Sequence, residues 1–194
     1  LVLTLFTALL AACSPGEKAV FGDAGSMTVP ASGMVSGPRF TDGPDGELIL
    51  SWMESGENDT SLKFALLNGS EFGAASKVVD EPAMFVNWAD LPSVMHVAGD
   101  HWVAHWLRYS ADATYSYDVV LSQSFDDGET WGEPLAVHTD GTQTEHGFVS
   151  MHRDEEGIAL LWLDGRDTAG EAQDDVLATS MTLRSAVISP SGTR

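Results

Sequence analysis

Cysteine and basic residues are scarce in this chain. Among its 194 residues Cys13 is the only cysteine, so no disulfide can form within the chain. Lys and Arg together number 9 against 29 Asp and Glu, which gives a formal net charge of −20. This balance provides no basic face for nucleic-acid phosphates and no polybasic patch for anionic lipid. We therefore expect no nucleic-acid partner, and no membrane contact through charge.

Long helical stripes are also missing after residue 20, since no apolar pattern repeats there every 3.6 residues. Short apolar runs bounded by Gly, Asp, Asn and Pro predict strands joined by turns instead. Six Trp and 19 Gly are typical of a β-rich, turn-rich secreted protein. The predicted strands are 47–52, 61–66, 93–97, 102–107, 118–122, 147–152, 158–163 and 176–179.

The first residues form an apolar run, LVLTLFTALLAAC, that is typical of a secretory signal. It is shorter than the roughly 20 apolar residues that a transmembrane helix needs. Its end, Leu10-Ala11-Ala12-Cys13, resembles the lipobox of bacterial lipoproteins, which implies that Cys13 is acylated and anchors the mature chain. The alternative is a buried core helix with one free cysteine.

These features divide the chain into a signal peptide at 1–13, a tether and lead-in at 14–35, and a domain at 36–194. They predict a secreted protein of the bacterial cell envelope, held at the membrane by a lipid anchor alone. The basic segment expected before the apolar run is missing, and the sequence ends at SAVISPSGTR within a repeat. We therefore expect both ends to be truncated.

The domain contains an internal repeat of about 55 residues, of the length that repeat architectures use. Residues 38–52 align with 92–106 at a shift of 54, and 95–106 align with 151–162 at a shift of 56. The segment 118–124 aligns with 174–180, also at a shift of 56. Four short antiparallel strands per repeat are typical of a propeller blade, and a sandwich would show less regular spacing.

The repeat units span roughly 36–85, 88–140 and 144–194. A closed propeller takes about four to eight blades. The sequence therefore predicts an all-β fold, a partial β-propeller of about three four-stranded blades.

One turn carries the pattern S-x-D-x-G-x-x-W, fulfilled by Ser124, Asp126, Gly128 and Trp131. The Asp126 carboxylate is expected to accept backbone N–H bonds across the turn, and Gly128 to take a positive φ. Trp131 is expected to pack between strands. With this motif in a repeat of this period, the chain resembles the sialidase-like propellers, also called Asp-box or BNR-repeat proteins.

The resemblance implies a six-bladed propeller in which the Asp box is structural and lies away from the active-site face. A degenerate copy of the box is predicted in the first unit, with Gly69 at the position of Gly128. In the third unit the alignment reaches Ser180 and the box is then lost, with Thr182 and Arg184 at its Asp and Gly positions.

In propellers, the segment leading into the innermost strand of each blade opens onto the functional face. Here those segments are 34–38, 88–92 and 144–148, and a second ring of side chains follows the Trp of each unit. The alternative is that these polar residues only form turns and contact solvent. The candidate ligand-binding residues are Asn87, Trp88, Asp90, Arg108, Glu145, His146, Asp164 and Arg166.

Sialidases bind the substrate carboxylate with three arginines and use a Tyr paired with a Glu as nucleophile. The first of those arginines aligns with Ser36, within SGPRF, so the motif is not preserved and no catalytic residue is assigned. The first hypothesis is therefore a glycan-active propeller of glycoside hydrolase type, whose ligand is a carbohydrate such as a sialoglycan. The second is a non-catalytic propeller that binds a glycan or a protein, and the third is an inert truncation product.

No cofactor and no metal site are predicted. His101 and His105 are four residues apart, as in a helical zinc motif, but they fall in a predicted strand. His96 and His152 occupy equivalent places at the ends of strands and are expected in turns between strands.

Overall fold

The computed structural model describes residues 25–154, 157–169 and 181–189. The predicted signal peptide with Cys13 and the predicted strand at 176–179 lie outside these residues. The described chain is all-β, as predicted, with two short 3-10 turns at Pro44–Gly46 and Arg166–Thr168. No helix in this part of the chain has the length and apolar character needed to cross a membrane.

Within the described residues, twelve strands form three antiparallel sheets, none of which closes on itself. The first sheet holds β1 (Met34–Asp42), β2 (Leu48–Ser55), β3 (Thr60–Asn68), β4 (Glu71–Phe72) and β5 (Ser76–Glu81). The second holds β6 (Ser93–Ala98), β7 (His101–Tyr109), β8 (Tyr117–Ser124) and β9 (Leu135–Ala136). The third holds β10 (His146–Asp154), β11 (Gly157–Asp164) and β12 (Thr182–Ile188).

The predicted strands within the described residues are confirmed, each within a few residues of its ends. The sequence missed β1, because Gly37 and Pro38 interrupt its apolar pattern. The structure shows a shift in the β1–β2 register between Ser36 and Arg39, with Gly37 at a φ of +60°. Glycine and proline therefore mark a bulge within a strand here and not a turn before one.

In the third unit the repeat alignment was wrong for Thr182 and Arg184, which belong to the strand that pairs with β11. Arg184 pairs with Trp162 across β11 and β12, as Val120 pairs with Trp106 across β7 and β8. Thr182 and Arg184 therefore lie within a strand and not in a box turn. The connection from β11 to β12 is longer than the repeat alignment assumed, so the constant shift fails there.

Side chains from both faces of the second sheet are buried. One face packs on the first sheet through a cluster that includes Phe64, Trp102 and Trp106. The other packs on the third sheet through a cluster that includes Tyr117 and Trp162. The segment HWVAHWL in β7 is buried continuously for this reason, since neither of its faces meets solvent.

The first strands of the three sheets lie side by side. The hydroxyl of Thr41 in β1 donates to the backbone oxygen of Val94 in β6. The Arg39 guanidinium passes beyond the second sheet and donates to the Val149 oxygen in β10 at 3.3 Å. Because β1, β6 and β10 converge in this way, the residues that precede these strands meet at one end of the sheets.

Candidate functional site

We call the end where β1, β6 and β10 begin the lead-in end. The register places Ser93 opposite His105 and Tyr109 opposite Tyr117 at this end of the second sheet. In the third sheet His146 pairs with Asp164 there. The segments 87–93 and 143–150 are thus brought to the same end, as the repeat alignment suggested.

The segment before β6 is held rigidly by its own side chains. The side-chain oxygen of Asn87, Oδ1, accepts hydrogen bonds from the backbone N–H groups of Ala89 at 2.7 Å and Asp90 at 2.6 Å. The Asn87 amide donates in turn to Asp90 Oδ2 at 2.7 Å. Trp88 lies on this turn with 92% of its surface exposed. A large aromatic ring is therefore displayed to solvent on a fixed backbone.

Asp90 joins this turn to the third sheet. Its side chain is buried, and Oδ1 accepts the backbone N–H of Phe148 at 2.5 Å. Phe148 has a φ of +53° and an exposed ring. A Cβ on Gly147 would lie 2.8 Å from Asp90 Oδ1, so only glycine permits this approach. The strained Phe148 backbone is therefore held by a carboxylate from the neighbouring sheet.

Glu145 and Tyr117 form a second link between these sheets. The Tyr117 hydroxyl donates to Glu145 Oε1 at 2.6 Å, and its ring stacks on Phe85 at 3.9 Å between centroids. Burial and the Glu145 hydrogen bond both raise the pKa of Tyr117. Tyr117 is only 1% exposed, whereas Glu145 is partly exposed. The tyrosine therefore positions a carboxylate that reaches solvent.

A buried network lies beneath Glu145 and contains two of the predicted residues, His146 and Asp164, both 0% exposed. The ring of His146 stacks on His138 at 3.8 Å with 14° between the ring planes. Asp118 and Asp140 lie at opposite edges of this histidine pair. Burial is the main cause that lowers the pKa of His138.

Arg166 neutralises the carboxylates on one side of this network. Its Nε donates to Asp164 Oδ1 and its Nη2 to Asp164 Oδ2, both at 2.7 Å. Nη2 also lies 3.1 Å from Asp140 Oδ2. Burial would raise the pKa of Asp164, but the hydrogen bonds from Arg166 and Trp162 outweigh it and hold that pKa well below the usual range. The pKa of Asp140 is low for related reasons, since bonds from Thr142 outweigh burial.

Arg108 lies apart from this network. Its Nε donates to Glu81 Oε2 at 2.6 Å, and the same oxygen accepts Trp106 Nε1–H at 3.4 Å. Arg108 also pairs with Met84 through the backbone. Arg108 is thus bound to the end of β5 and to the segment that follows it.

The eight predicted residues therefore do not all face one funnel. Asn87, Trp88 and Glu145 lie at the lead-in end with side chains that reach solvent, whereas Asp90, which is bonded to Asn87 and Phe148 there, is buried. Two others, His146 and Asp164, are fully buried and cannot line an open surface. Repeat alignment gives equivalent backbone positions but cannot distinguish a side chain that points outward from one that points between sheets.

Three residues of the buried network were missed from the sequence: Asp118, His138 and Asp140. The one local signal is the Asx turn at Asp140, whose Oδ1 accepts the Thr142 backbone N–H at 3.0 Å. His138 also contacts Asp140 two residues on, but the contacts of both residues with Asp118, His146 and Arg166 join residues from other parts of the sequence, which no local pattern marks.

The segment 124–131 lies at the opposite end of the second sheet, where Ser124 pairs with Trp102. Ser124 Oγ donates to Asp126 Oδ1 at 2.7 Å and accepts Gly128 N–H at 3.0 Å. Asp126 Oδ1 also accepts the Thr130 N–H at 2.9 Å, and hydrogen bonds from Thr130 lower the pKa of Asp126. These carboxylate contacts all lie within the turn.

The last two residues of this motif have conformations suited to a tight turn against the first sheet. Gly128 has a φ of +78°, and Trp131 Nε1–H donates to the Gly128 oxygen at 3.1 Å. The Trp131 ring meets Phe64 edge to face at 6.2 Å. In the first unit Gly69 also has a positive φ, +62°.

Three of the other histidines have separate partners. His105 Nδ1 lies 3.0 Å from Ser93 Oγ, and His101 Nε2 lies 2.9 Å from Gln123 Oε1. His96 Nε2 lies 2.8 Å from the Gly99 oxygen in the β6–β7 turn. Within the described ranges, the groups with metal-ligand spacing are Asp118, His138, His146 and Asp140, His146, Asp164.

No family model matches the chain, and no curated protein matches it. A solved endo-arabinase from Bacteroides thetaiotaomicron is similar with a TM-score of 0.52 and 13% identity, over 80% of this chain and 56% of that one. An endo-1,4-beta-xylanase from the same organism has a TM-score of 0.52 and 11% identity, over 86% of this chain and 59% of that one. The chain thus spans less than two thirds of either protein, and the likeness concerns the fold: an all-β arrangement of antiparallel sheets whose structural neighbours are glycoside hydrolases.

Proposed function

We propose that this chain is part of a sialidase-like, glycan-active propeller that binds carbohydrate at its lead-in end. In this proposal the three sheets are successive blades of a ring that has six in the family the chain resembles. The binding surface consists of the Trp88 turn and the adjoining Phe148 and Glu145.

The exposure of Trp88 carries the proposal. A tryptophan that is 92% exposed on a backbone fixed by Asn87 and Asp90 serves no packing role in the described chain. Flat aromatic rings provide apolar area with little entropy loss, and polar groups beside them orient a ligand. Phe148 and Tyr115 add rings that are 48% and 58% exposed, at the start of β10 and just before β8. Aromatic rings next to a carboxylate and an amide are well suited to the alternating apolar and hydroxyl-bearing faces of a sugar.

The structural neighbours support a carbohydrate over other ligand classes. Both are named for enzymes that act on polysaccharides, an arabinan and a xylan. The excess of acidic residues disfavours phosphate-rich ligands. The candidate sugars are therefore pentose polymers and sialosides, the latter from the resemblance to sialidases.

Direct titration tests the proposal. We expect saturable binding of at least one of sialyllactose, arabino-oligosaccharide and xylo-oligosaccharide by the tag-free chain in calorimetry. Trp88→Ala should weaken that binding about tenfold or more, because stacking is lost. Phe125→Ala is the matched control, since this ring is 58% exposed but lies at the opposite end of the sheet. Failure to bind any of these sugars, or equal binding by the Trp88→Ala variant, would overturn the proposal and favour a protein ligand.

Hydrolysis is a second candidate, favoured by the pair of carboxylates Asp90 and Glu145. Asp90 Oδ1 lies next to Gly147, as does the Tyr117 hydroxyl, which donates to Glu145 Oε1, and Glu145 is partly exposed. Two carboxylates around one bond are the usual equipment of glycoside hydrolases. We expect Glu145→Gln to abolish release of reducing ends from the bound sugar, while Glu133→Gln, at the opposite end, retains it. Binding without any release of reducing ends would leave the chain a binding propeller.

The lipobox adds a proposal for location. We propose that Cys13 is acylated and that the mature chain is anchored at a bacterial envelope. Growth with a labelled fatty acid should label the full precursor, and Cys13→Ser should prevent labelling. An unlabelled precursor in a host with working lipoprotein processing would contradict the anchor.

A further inference from the structure

Asp118, His138 and His146 bring three parts of the fold together between the second and third sheets. Asp118 is in β8, His138 follows β9, and His146 begins β10. The side chains of His138 and His146 are 4% and 0% exposed. Asp118 Oδ1 lies 3.7 Å from His138 Nε2 and 3.6 Å from His146 Nδ1. One carboxylate oxygen therefore faces a nitrogen of each histidine in a buried space.

The hydrogen bonds of His138 define which nitrogen carries its proton. His138 Nδ1 lies 2.8 Å from Asp140 Oδ2, so this nitrogen donates to the carboxylate. The lone pair is then on Nε2, which faces Asp118 Oδ1. Neither atom has a hydrogen-bond partner in the described chain, although both are buried. Two buried acceptors that face each other without a donor are costly, and a cation between them, or a water that donates to both, removes that cost.

His146 has a related arrangement. Its Nε2 points to Asp140 Oδ2 at 3.4 Å and Asp164 Oδ1 at 3.7 Å, while Nδ1 is on the side of Asp118. With the proton on Nε2, Nδ1 presents a second lone pair to the same space. The backbone oxygens of Thr144 and Tyr117 lie 3.2 Å and 3.3 Å from Nδ1. These oxygens can complete the coordination of an ion, or accept a hydrogen bond from Nδ1–H when no ion is bound.

We propose that Asp118, His138 and His146 bind a divalent transition-metal ion, with Zn²⁺ as the best match, that joins the second sheet to the third. Metal-bound histidines almost always donate their other N–H to a carboxylate, and Asp140 Oδ2 lies beside the far nitrogen of both rings. Two imidazoles and one carboxylate suit Zn²⁺ and neighbouring metals, whereas Ca²⁺ and Mg²⁺ prefer oxygen ligands alone.

The distances require a small adjustment. Tetrahedral bonds of about 2.0–2.1 Å place ligand atoms about 3.3 Å apart. The oxygen-to-nitrogen separations here are 3.6 and 3.7 Å, and the three ligand atoms lie within 4.8 Å of one another. The two rings are stacked at 14°, so their near nitrogens must tilt toward each other when they bind the ion.

Charge places the ion on the Asp118 side of the histidines and not on the Asp164 side. Asp140, His146 and Asp164 also have ligand spacing, but Arg166 Nη2 is 3.1 Å from Asp140 and its Nε is 2.7 Å from Asp164. A guanidinium already supplies the positive charge there. Asp118 has no arginine or lysine ion pair among the described residues, and its buried Oδ1 faces the two histidine rings.

Metal analysis of the tag-free chain tests this site. After incubation with Zn²⁺ and removal of free metal, we expect about one Zn²⁺ per chain and a higher melting temperature that EDTA reverses. Asp118→Asn and His138→Gln should each lose the bound ion and the shift in melting temperature. Asp112→Asn is the control, because this exposed aspartate lies in the loop before β8.

Co²⁺ absorption tests the site in the unmodified chain, so this measurement does not require that the ligand variants fold. Bound by two nitrogens and an oxygen, it should show visible absorption bands in the unmodified chain that Zn²⁺ abolishes. A folded chain that binds no stoichiometric Zn²⁺ and gives no Co²⁺ bands would overturn the proposal. Retention of one Zn²⁺ in both folded ligand variants would overturn it equally.

Discussion

The indole Nε1–H of Trp162 donates to Asp164 Oδ2 at 2.8 Å, two residues further along the same strand. The first sheet repeats this relationship, because Trp52 Nε1–H donates to Glu54 Oε2 at 3.4 Å. Both rings are buried, at 3% and 2% exposure. A buried indole N–H needs an acceptor, and in the first and third sheets the end of the second strand supplies one.

In the second sheet the acceptor for the buried indole N–H comes from a different strand. The residue two places after Trp106 is Arg108, which cannot accept a hydrogen bond. Glu81, at the end of β5, supplies the carboxylate for both side chains. The need for an acid beside the tryptophan is thus common to the three sheets, whereas its position in sequence is not.

Removing the Asp164 carboxylate should destabilise the fold. In Asp164→Ala the Trp162 N–H loses its acceptor and Arg166 loses three hydrogen bonds, two from its side chain and one from its backbone N–H, so we expect a loss of about 2–3 kcal/mol in the free energy of unfolding. Urea denaturation measures this. Asp167→Ala, which removes an exposed carboxylate three residues along, should change stability by less than about 0.5 kcal/mol. Equal effects of the two variants would contradict the assigned role.

Gly128→Ala should be more harmful than Gly69→Ala. Both glycines have positive φ, at +78° and +62°, so alanine strains the backbone at each, at a cost of about 1 kcal/mol or more. At Gly128 the new Cβ would also lie 2.9 Å from the Phe64 ring, whereas nothing lies within 4 Å of a Cβ on Gly69. The difference between the two losses in unfolding free energy reports the Phe64 contact. In a Phe64→Leu background that difference should shrink, and an unchanged difference would argue against a clash.

The sequence was sufficient for most strands because the pattern there is local. In β7 and β8 apolar residues run together between turn residues, and both faces of the second sheet are buried. It was insufficient where a local irregularity mimics a turn, as at Gly37 and Pro38 in β1. It was also insufficient for β12, since the length of the preceding connection departs from the repeat.

The site was less accessible to prediction than the fold. The repeat alignment brought Asp90 and Glu145 to the same end of the sheets, because equivalent positions in adjacent sheets lie side by side. It could not separate exposed Trp88 from buried His146, since that depends on the direction in which each side chain points. Nor could it identify His138, whose partners Asp118 and His146 come from other strands.

Gly147→Ala should disrupt the contact between the segment before β6 and the start of β10 at the lead-in end. The added Cβ would lie 2.8 Å from Asp90 Oδ1 and 2.9 Å from the Tyr117 ring, and neither side chain can retreat from its buried position without loss of its hydrogen bond. We expect the free energy of unfolding to fall by about 1–3 kcal/mol and glycan binding to weaken. Gly73→Ala is the control, because its Cβ would meet only the Leu66 oxygen at 3.7 Å. Normal binding and stability in the Gly147→Ala variant would show that the Asp90–Phe148 contact is dispensable.

His105 should make the chain less stable at acid pH. It is 1% exposed, and burial, followed by the charge of Arg39, lowers its pKa from 6.5 to about 3. Between these two values the unfolded chain binds a proton that the folded chain does not. Its contribution to stability is therefore complete above pH 6.5 and is lost as the pH falls toward 3, with a slope of up to about 1.4 kcal/mol per pH unit.

Replacing this histidine by a residue that does not titrate should remove that slope. His105→Gln keeps a polar group near Ser93 Oγ, which lies 3.0 Å from the native Nδ1, and lowers stability at neutral pH by leaving an imperfectly filled site. Between about pH 7 and about pH 5, however, its unfolding free energy should decline less than that of the native chain. His152→Gln, which removes an exposed histidine, should keep the native decline. If His105→Gln and His152→Gln lost stability in parallel over this range, the acid sensitivity would come from other groups and not from the buried imidazole.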